Sequence, residues 1–303
     1  MKALVVLKPP AEDNARQVLR EALDRHFAAA GIACEVYETR KGDPVADIVR
    51  RRLPDGFDVV VAVGGDGTVS AVCDGLVGSS IPLGIVPTGT GNLIARELAI
   101  PDQVETAIAF IASAPPARRI DAMRIGKRAY VLNASVGISA AVIGETTARS
   151  KGRFGRAAYL GTSILKVLSS RPRYLVVAID GKAHSYRAVE VTIMNCGLLA
   201  KSLYPKGAEI RIDDGHLGVW ILSMKTVWNY LRYAVGLAMD STYHPQAHFI
   251  QAGKSVSIRS NIPLPVQADG DIIGTTPIDV AVLPGILTVL APAKPAIPPA
   301  AEL

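Results

Sequence analysis

Residues 58–63 read Asp-Val-Val-Val-Ala-Val and run directly into Gly64-Gly65-Asp66-Gly67-Thr68. An apolar run without alternation cannot lie half in water. As a strand it needs cover on both faces, which a parallel sheet flanked by helices supplies. The glycines at its end permit a tight turn and let backbone N–H groups come close to a ligand. Residues 68–77 then read as a helix, whose N-terminus adds a favourable field for an anion.

The same alternation recurs on both sides of this unit. Residues 3–7 form a short apolar strand. From Asp13, a helix carries Ala15, Val18, Leu19, Ala22, Leu23 and Phe27 at the spacing of one face. Residues 34–37 read as a strand. Asp43-Pro44 is a cap followed by proline at the first helical position and opens a helix to about residue 53. Residues 83–86 are a further strand, and Pro101 opens a helix to about residue 113. The expectation over residues 1–121 is a doubly wound parallel sheet. Beyond Asp121 short β-rich runs take over, at 130–135, 175–179, 189–195, 219–223, 256–259, 278–283 and 287–290. Asp180-Gly181 reads as a hairpin turn, and helical patterns interrupt only at 156–169 and 226–239. That texture predicts a β-sandwich domain over residues 122–285. A last strand at about 286–291 can return to the first domain, and an Ala/Pro-rich tail over 292–303 is expected to be disordered.

Composition narrows the function classes. The chain has 303 residues, enough for two domains, and 49% of them are hydrophobic, which excludes a disordered chain. Aromatics are 5%, a poor supply of stacking platforms for single-stranded nucleic acid. The net charge of +6 suits an anionic partner without choosing one. Cys34, Cys73 and Cys196 form no CxxC pair and read as buried thiols in a reducing, cytoplasmic setting. The start of the chain, closed by Lys8-Pro9, reads as a core strand rather than a signal peptide. The longest uncharged stretch, 129–144, carries Asn133, Ser135 and Ser139 and is too short and polar to span a bilayer.

The loop at Gly64–Thr68 is suited to phosphate, yet no Gly-Lys-Ser/Thr follows, so it is not a Walker A loop. Asp66 is informative because a carboxylate among phosphates repels them unless a cation intervenes, which points to Mg²⁺. The competing account is a glycine turn with Asp66 capping the helix through its side chain. Pro87-Thr88-Gly89-Thr90-Gly91-Asn92 favours the first account. It follows the next strand in the same topological position, so the two loops converge on one crevice, and Thr90 and Asn92 can hydrogen-bond phosphate or base edges.

These two motifs together resemble the diacylglycerol kinase catalytic-domain family of lipid kinases, which includes bacterial lipid kinases and the sphingosine and ceramide kinases. The first motif alone is shared with NAD kinases. The resemblance implies a nucleotide-binding α/β domain followed by a β-sandwich, and ATP contacts at Thr39, Gly64, Gly65, Asp66, Gly67, Thr68, Ser70, Gly89, Thr90 and Asn92. Asp269-Gly270-Asp271 is similar to the family's Asp-Gly-Glu segment, which makes Asp271, one methylene shorter, the general base. By itself that segment reads as a plain hairpin turn. Asp121 matches a family Asp that links the glycine-loop carboxylate to the base, so Asp66, Asp121 and Asp271 are expected to share one cleft with Mg²⁺ offsetting their repulsion. Asp213-Asp214-Gly215-His216-Leu217 resembles a structural cation loop, with Asp214 and the carbonyls of Arg211 and His216 as ligands. Two departures touch the nucleotide site. Lys8-Pro9 stands where Asn-Pro is usual, and Ser70-Ala71 stands where Asn-Glu is common.

Between Glu145 and Asp180 there is no acidic residue, and basic residues from Arg149 to Arg173 are interleaved with apolar ones. Residues 149–173 are therefore expected to meet an anionic membrane surface; the alternative is a solvated helix packed on the sandwich. The implied activity is transfer of the ATP γ-phosphate to a lipid hydroxyl by an enzyme peripheral to the inner membrane surface. A diacylglycerol-like acceptor is favoured; the segment Gly137-Ile138-Ser139-Ala140-Ala141 lacks the acidic residue that sphingosine kinases carry there, which disfavours sphingosine and leaves other glycerolipids and ceramide open. The alternatives are a kinase for a soluble acceptor such as NAD, or a non-catalytic nucleotide- or lipid-binding protein. Nucleic acid is not expected as a partner, and a homodimer is compatible with these readings.

Overall fold

The computed structural model describes residues 1–10, 12–141, 171–198, 210–223 and 247–293. The chain divides into two compact units, Met1–Ile120 with Leu287–Leu303, and Asp121–Ile286.

The first unit is the doubly wound α/β domain. In chain order it holds β1 (Lys2–Leu7), α1 (Asp13–Ala29), β2 (Ala33–Glu38), α2 (Val45–Arg52), β3 (Val59–Gly64), α3 (Asp66–Leu76), β4 (Leu83–Pro87), α4 (Leu93–Glu97) and α5 (Val104–Ala112). The strands pair in parallel in the order β2-β1-β3-β4, and residue 289, near the end of the chain, pairs beside Leu83 of β4. Alternate residues of β1 and β3 explain why both faces need cover. Ala3, Val5, Leu7, Val59, Val61 and Val63 pack with Leu19, Leu23 and Phe27 of α1 and Ile108 and Ile111 of α5. Leu4, Val6, Val60 and Ala62 point the other way and are just as deeply buried. Ala15 and Val18 of α1 are exposed, so the buried stripe of that helix is narrower than its apolar spacing suggests and starts at Leu19.

The second unit is a β-sandwich. β5 (Ala117–Ile125) leads into it and is followed by β6 (Arg128–Tyr130), β7 (Asn133–Gly137), β8 (Arg173–Ile179), β9 (Lys182–Ala188), β10 (Glu190–Met194) and β11 (Leu217–Leu222). Next come β12 (Ala247–Ala252), β13 (Ser255–Ser260), β14 (Pro265–Ala268), β15 (Asp271–Thr275) and β16 (Ile278–Leu290). One sheet has the order β12-β11-β10-β7-β14-β15, antiparallel throughout. In the other, β13 lies between the first half of β16 and β8, and β9 pairs with β8. Side chains from both fill the space between them, among them Val136, Val191, Val219 and Val266 on one side and Val177, Val256, Ile258 and Val280 on the other.

Several elements differ from their sequence expectations. The run at 130–135 splits into β6 and β7, because the N–H groups of Val131, Leu132 and Asn133 donate to the Asp269 carboxylate rather than to a strand. The runs at 278–283 and 287–290 are one 13-residue strand, continuous through Pro284-Gly285. β12, β14 and β15 carry too little apolar alternation to be read from sequence. The expected helices at 156–169 and 226–239 and all but the first two residues of the expected tail lie outside the described residues.

Candidate functional site

Every loop that the sequence singled out in the first unit leaves the carboxyl edge of the sheet. The Lys8 N–H donates to the Val63 carbonyl (2.9 Å), Thr39 N–H to Leu7 (2.8 Å) and Thr88 N–H to Gly64 (3.0 Å), so strand pairing persists up to each turn. The chain goes from β1 out to β2 and returns to β3 on the other side of β1. That is a topological switch point, where open parallel sheets bind ligands. The two glycine loops, after β3 and β4, meet backbone to backbone beside it. A Cβ on Gly89 would lie 2.5 Å from the Gly65 Cα, and a Cβ on Gly64 would lie 2.5 Å from the Thr68 Oγ.

Helix α3 opens at Asp66, two residues earlier than expected, and Gly65 is its N-cap residue. Asp66 therefore does not cap its own helix. Its Oδ1 accepts the N–H of Ile94 (3.2 Å), at the start of α4, a helix not anticipated from sequence. The carboxylate thus lies across the two loops, partly exposed. Gly91 has no room for a Cβ without closing to 3.0 Å on Asp66 Oδ2. Asn92 faces inward. It sits in the left-handed region at φ 47°, its Oδ1 accepts the Gly89 N–H (3.0 Å) and its Nδ2 donates to the Gly89 carbonyl (2.9 Å). It fixes the shape of the loop, while Thr88, Gly89 and Thr90 are exposed on it. Ser70 is buried in α3, and Thr39 is half-buried at the end of β2.

The acidic residues of the second unit have distinct settings. Asp121 is buried in β5. Its Oδ1 accepts the Gly285 N–H and its Oδ2 the Gly215 N–H, each at 2.6 Å, and its own N–H donates to Ile212. Burial raises its pKa above the ordinary carboxylate value. The two glycine N–H groups pull it back, and the nearby Asp214 and Asp213 push it up further. Asp214 closes its own loop: Oδ1 accepts the His216 N–H (2.9 Å) and Oδ2 the Arg211 N–H (3.2 Å). The His216 ring Nδ1 lies 2.8 Å from the Asp214 carbonyl, and the Arg211 guanidinium pairs with Asp213. Asp121, Arg211, Asp214 and His216 are thus brought together as one hydrogen-bonded loop cluster.

Asp271 is exposed and opens β15, just after a hairpin turn in which Asp269 (φ 47°) and Gly270 (φ 92°) are left-handed. The turn is pinned by Asp269, which sequence reasoning passed over. Its carboxylate accepts the N–H groups of Val131, Leu132 and Asn133 at 2.9–3.0 Å, and its own N–H donates to the Asn133 carbonyl. Of the basic stretch, Arg171 to Arg173 lie within the described residues. Arg171 and Arg173 line a cavity of about 520 Å³ with Val136, Gly137, Leu175 and Val189.

The sequence profile of the diacylglycerol kinase catalytic domain matches residues 2–125, and that of the YegS C-terminal NAD kinase β-sandwich-like domain matches residues 133–291. The chain belongs to the diacylglycerol kinase catalytic-domain family. Within it, the chain is 28% identical over 257 residues to a protein named diacylglycerol kinase from Staphylococcus saprophyticus, covering 82% of this chain and 81% of that one. It is 31% identical over 215 residues to "Probable lipid kinase YegS-like" of Stenotrophomonas maltophilia, covering 67% and 68%. It spans 56% of the length of an uncharacterized protein of Synechocystis sp., at 29% identity over 245 residues. The crystal structure of a diacylglycerol kinase from Bacillus anthracis str. Sterne shares the fold, with a TM-score of 0.76 and 21% identity over 97% of this chain and 98% of that one.

For a member of this kinase family, the donor set at the twin glycine loops suits Mg²⁺. Asp66 offers hard carboxylate oxygen, and the loops offer small residues and backbone N–H groups for phosphate. Among the described residues no three His, Cys, Asp or Glu side chains converge to hold a metal by themselves. A magnesium ion at Asp66 would complete its shell with phosphate oxygens and water, as this ion does in nucleotide sites.

Proposed function

We propose that this family member is a peripheral lipid kinase that transfers the γ-phosphate of ATP to a lipid hydroxyl, with a diacylglycerol-like acceptor favoured. The observation that carries the reading is the contact of the two glycine loops with the Asp66 carboxylate laid across them, at the carboxyl edge of a parallel sheet. Phosphoryl transfer leaves little covalent work for the protein, so its task is positioning and charge stabilisation. The N–H groups of residues 65–67 and 90–91 receive the phosphates, and Thr39, Ser70 and Thr90 frame the nucleotide. Asp66 would hold Mg²⁺, which would supply charge neutralisation at the phosphates. Asp271 accepts the proton of the acceptor hydroxyl as its oxygen bonds to the γ-phosphorus and the bond to the ADP oxygen breaks. Asp121 braces the loop at 210–216 and the bend of β16 at Gly285.

The names of the relatives support a lipid acceptor, and so does the apolar cavity rimmed by Arg171 and Arg173. Among the described residues no helix is long and apolar enough to cross a membrane. The proposed route to lipid is the basic segment 149–173 on an anionic leaflet. Purified protein incubated with labelled ATP, Mg²⁺ and a panel of diacylglycerol, other glycerolipids, ceramide and sphingosine tests the reading. Label in a glycerolipid is expected. Folded protein that labels no lipid overturns it, and NADP formation in a parallel assay replaces it with a soluble acceptor.

A further inference from the structure

Four polar side chains are buried on one face of the six-stranded sheet: Ser135, Glu190, Thr192 and Gln267, each 5% exposed or less. Their strand neighbours Ala134, Val136, Val191, Ile193, Val266 and Ala268 fill the sandwich core, so the polar set points to the opposite face. Strand register aligns it in adjoining rows. Gln267 lies opposite Ser135, Ser135 opposite Thr192, and Glu190 opposite Gly137.

Two hydrogen-bonded segments meet within this set. The Gly270 N–H donates to Gln267 Oε1 and Gln267 Nε2 donates to Ser135 Oγ, both at 3.0 Å. The Ser135 side chain, already an acceptor from Gln267, also interacts with the Glu190 carboxylate and favours its charged form. Thr192 donates to Glu190 Oε1 (3.2 Å), and the Ser139 N–H donates to Oε2 (3.0 Å). One end is therefore Gly270, which immediately precedes Asp271. The other is Ser139, flanked in sequence by Gly137, Ile138 and Ala141 of the 520 Å³ cavity wall.

Stability alone does not call for such a set. Apolar residues at these positions would avoid the cost of burying a carboxylate, even a well-bonded one. Burial pushes the Glu190 pKa up to about 7, the signature of that cost.

We propose that Glu190, Ser135 and Gln267 are positioning residues that hold the Gly270 turn, and with it Asp271, in fixed register with the wall of the apolar cavity. The inference rests on the reading of Asp271 as the base. Each member fixes the next. The Ser139 N–H seats Glu190, Glu190 orients the Ser135 hydroxyl, and that hydroxyl keeps the Gln267 amide turned with its oxygen toward Gly270. Without the Ser135 oxygen, the amide loses its reason to present oxygen rather than NH₂ to the Gly270 N–H, and the turn loosens. Asp269 still pins the hairpin to residues 131–133, so the fold survives.

The test compares Ser135→Ala and the near-isosteric Gln267→Met with the parent protein, by lipid kinase kinetics, thermal melting and hydrogen exchange of the Gly270 amide. The expected result is a fall in kcat of about tenfold with the KM for ATP within twofold, and faster exchange at Gly270 in both variants. Folded variants with kcat within twofold of the parent, or with unchanged Gly270 exchange, overturn the proposal. An unprotected Gly270 amide in the parent protein overturns it without any variant. Asp271→Asn is assayed in parallel. If it remains fully active, the base reading fails; if it is inactive while both variants keep their kcat, only the positioning role fails.

Discussion

At the residue scale, the glycines and carboxylates of this protein are explained by what they touch. Gly89 has no space for a side chain because the Gly65 backbone occupies it. Gly89→Ala should cost about 1–3 kcal/mol through forced separation of the loops and weaken ATP binding at least tenfold, read by urea unfolding and nucleotide titration. Asn92 was expected to meet the nucleotide, and the structure turns its amide onto Gly89. Loop composition suits phosphate, but does not reveal which side chain the loop spends on its own shape. Glu190 makes a pH prediction. An exposed glutamate loses its proton near 4.5, whereas burial holds this one to about 7. Between those values the folded chain binds more protons than the unfolded chain, so stability falls as pH rises. The penalty is absent below about 4.5 and complete above about 7, and amounts to about 3 kcal/mol. Urea unfolding at pH 5 and 7.5 should show that difference shrink in Glu190→Gln relative to the parent.

At the scale of elements, the decisive unit is the β14–β15 hairpin. Its Asp-Gly turn was legible, since left-handed backbone favours those two residues. Its anchoring was not, because the three N–H groups held by Asp269 lie more than 130 residues away in sequence. Removing that carboxylate leaves several partly buried donors without an acceptor. Asp269→Ala should lose about 2–4 kcal/mol of stability and most lipid kinase activity, although Asp271 itself is untouched. A variant with the parent's urea midpoint would refute that anchoring role. A similar lesson comes from β16. Pro284 and Gly285 divide it into two runs in the sequence, yet the chain passes through them as one strand, with Gly285 at φ 51° and its N–H held by Asp121. A break in apolar pattern is not a break in the strand when a distant acceptor satisfies the backbone there.

At the scale of the whole molecule, β16 matters because its two ends belong to different units. Leu287, Val289 and Leu290 are buried, and Val289 pairs beside Leu83 of the first unit. Each contributes about 1.5–3 kcal/mol by burial, together comparable with the net stability of a domain, about 5–15 kcal/mol. A chain ending at residue 286 should therefore lose the cooperative melting of its first unit. Retention of the parent's Tm would show that the returning strand is dispensable.

The amino-acid sequence by itself determined the parallel α/β class, the β-sandwich that follows it and the twin glycine loops at the strand ends. These rest on local pattern: unbroken apolar runs that demand two-sided cover, and glycines at strand ends. Tertiary structure alone decided which polar groups meet. It laid Asp66 against Ile94, turned Asn92 inward, gave Asp121 two glycine partners and aligned Ser135, Glu190 and Gln267 across three strands. Such pairings depend on strand register and chain return, which bring together residues tens to hundreds of positions apart and leave no periodic trace in the sequence.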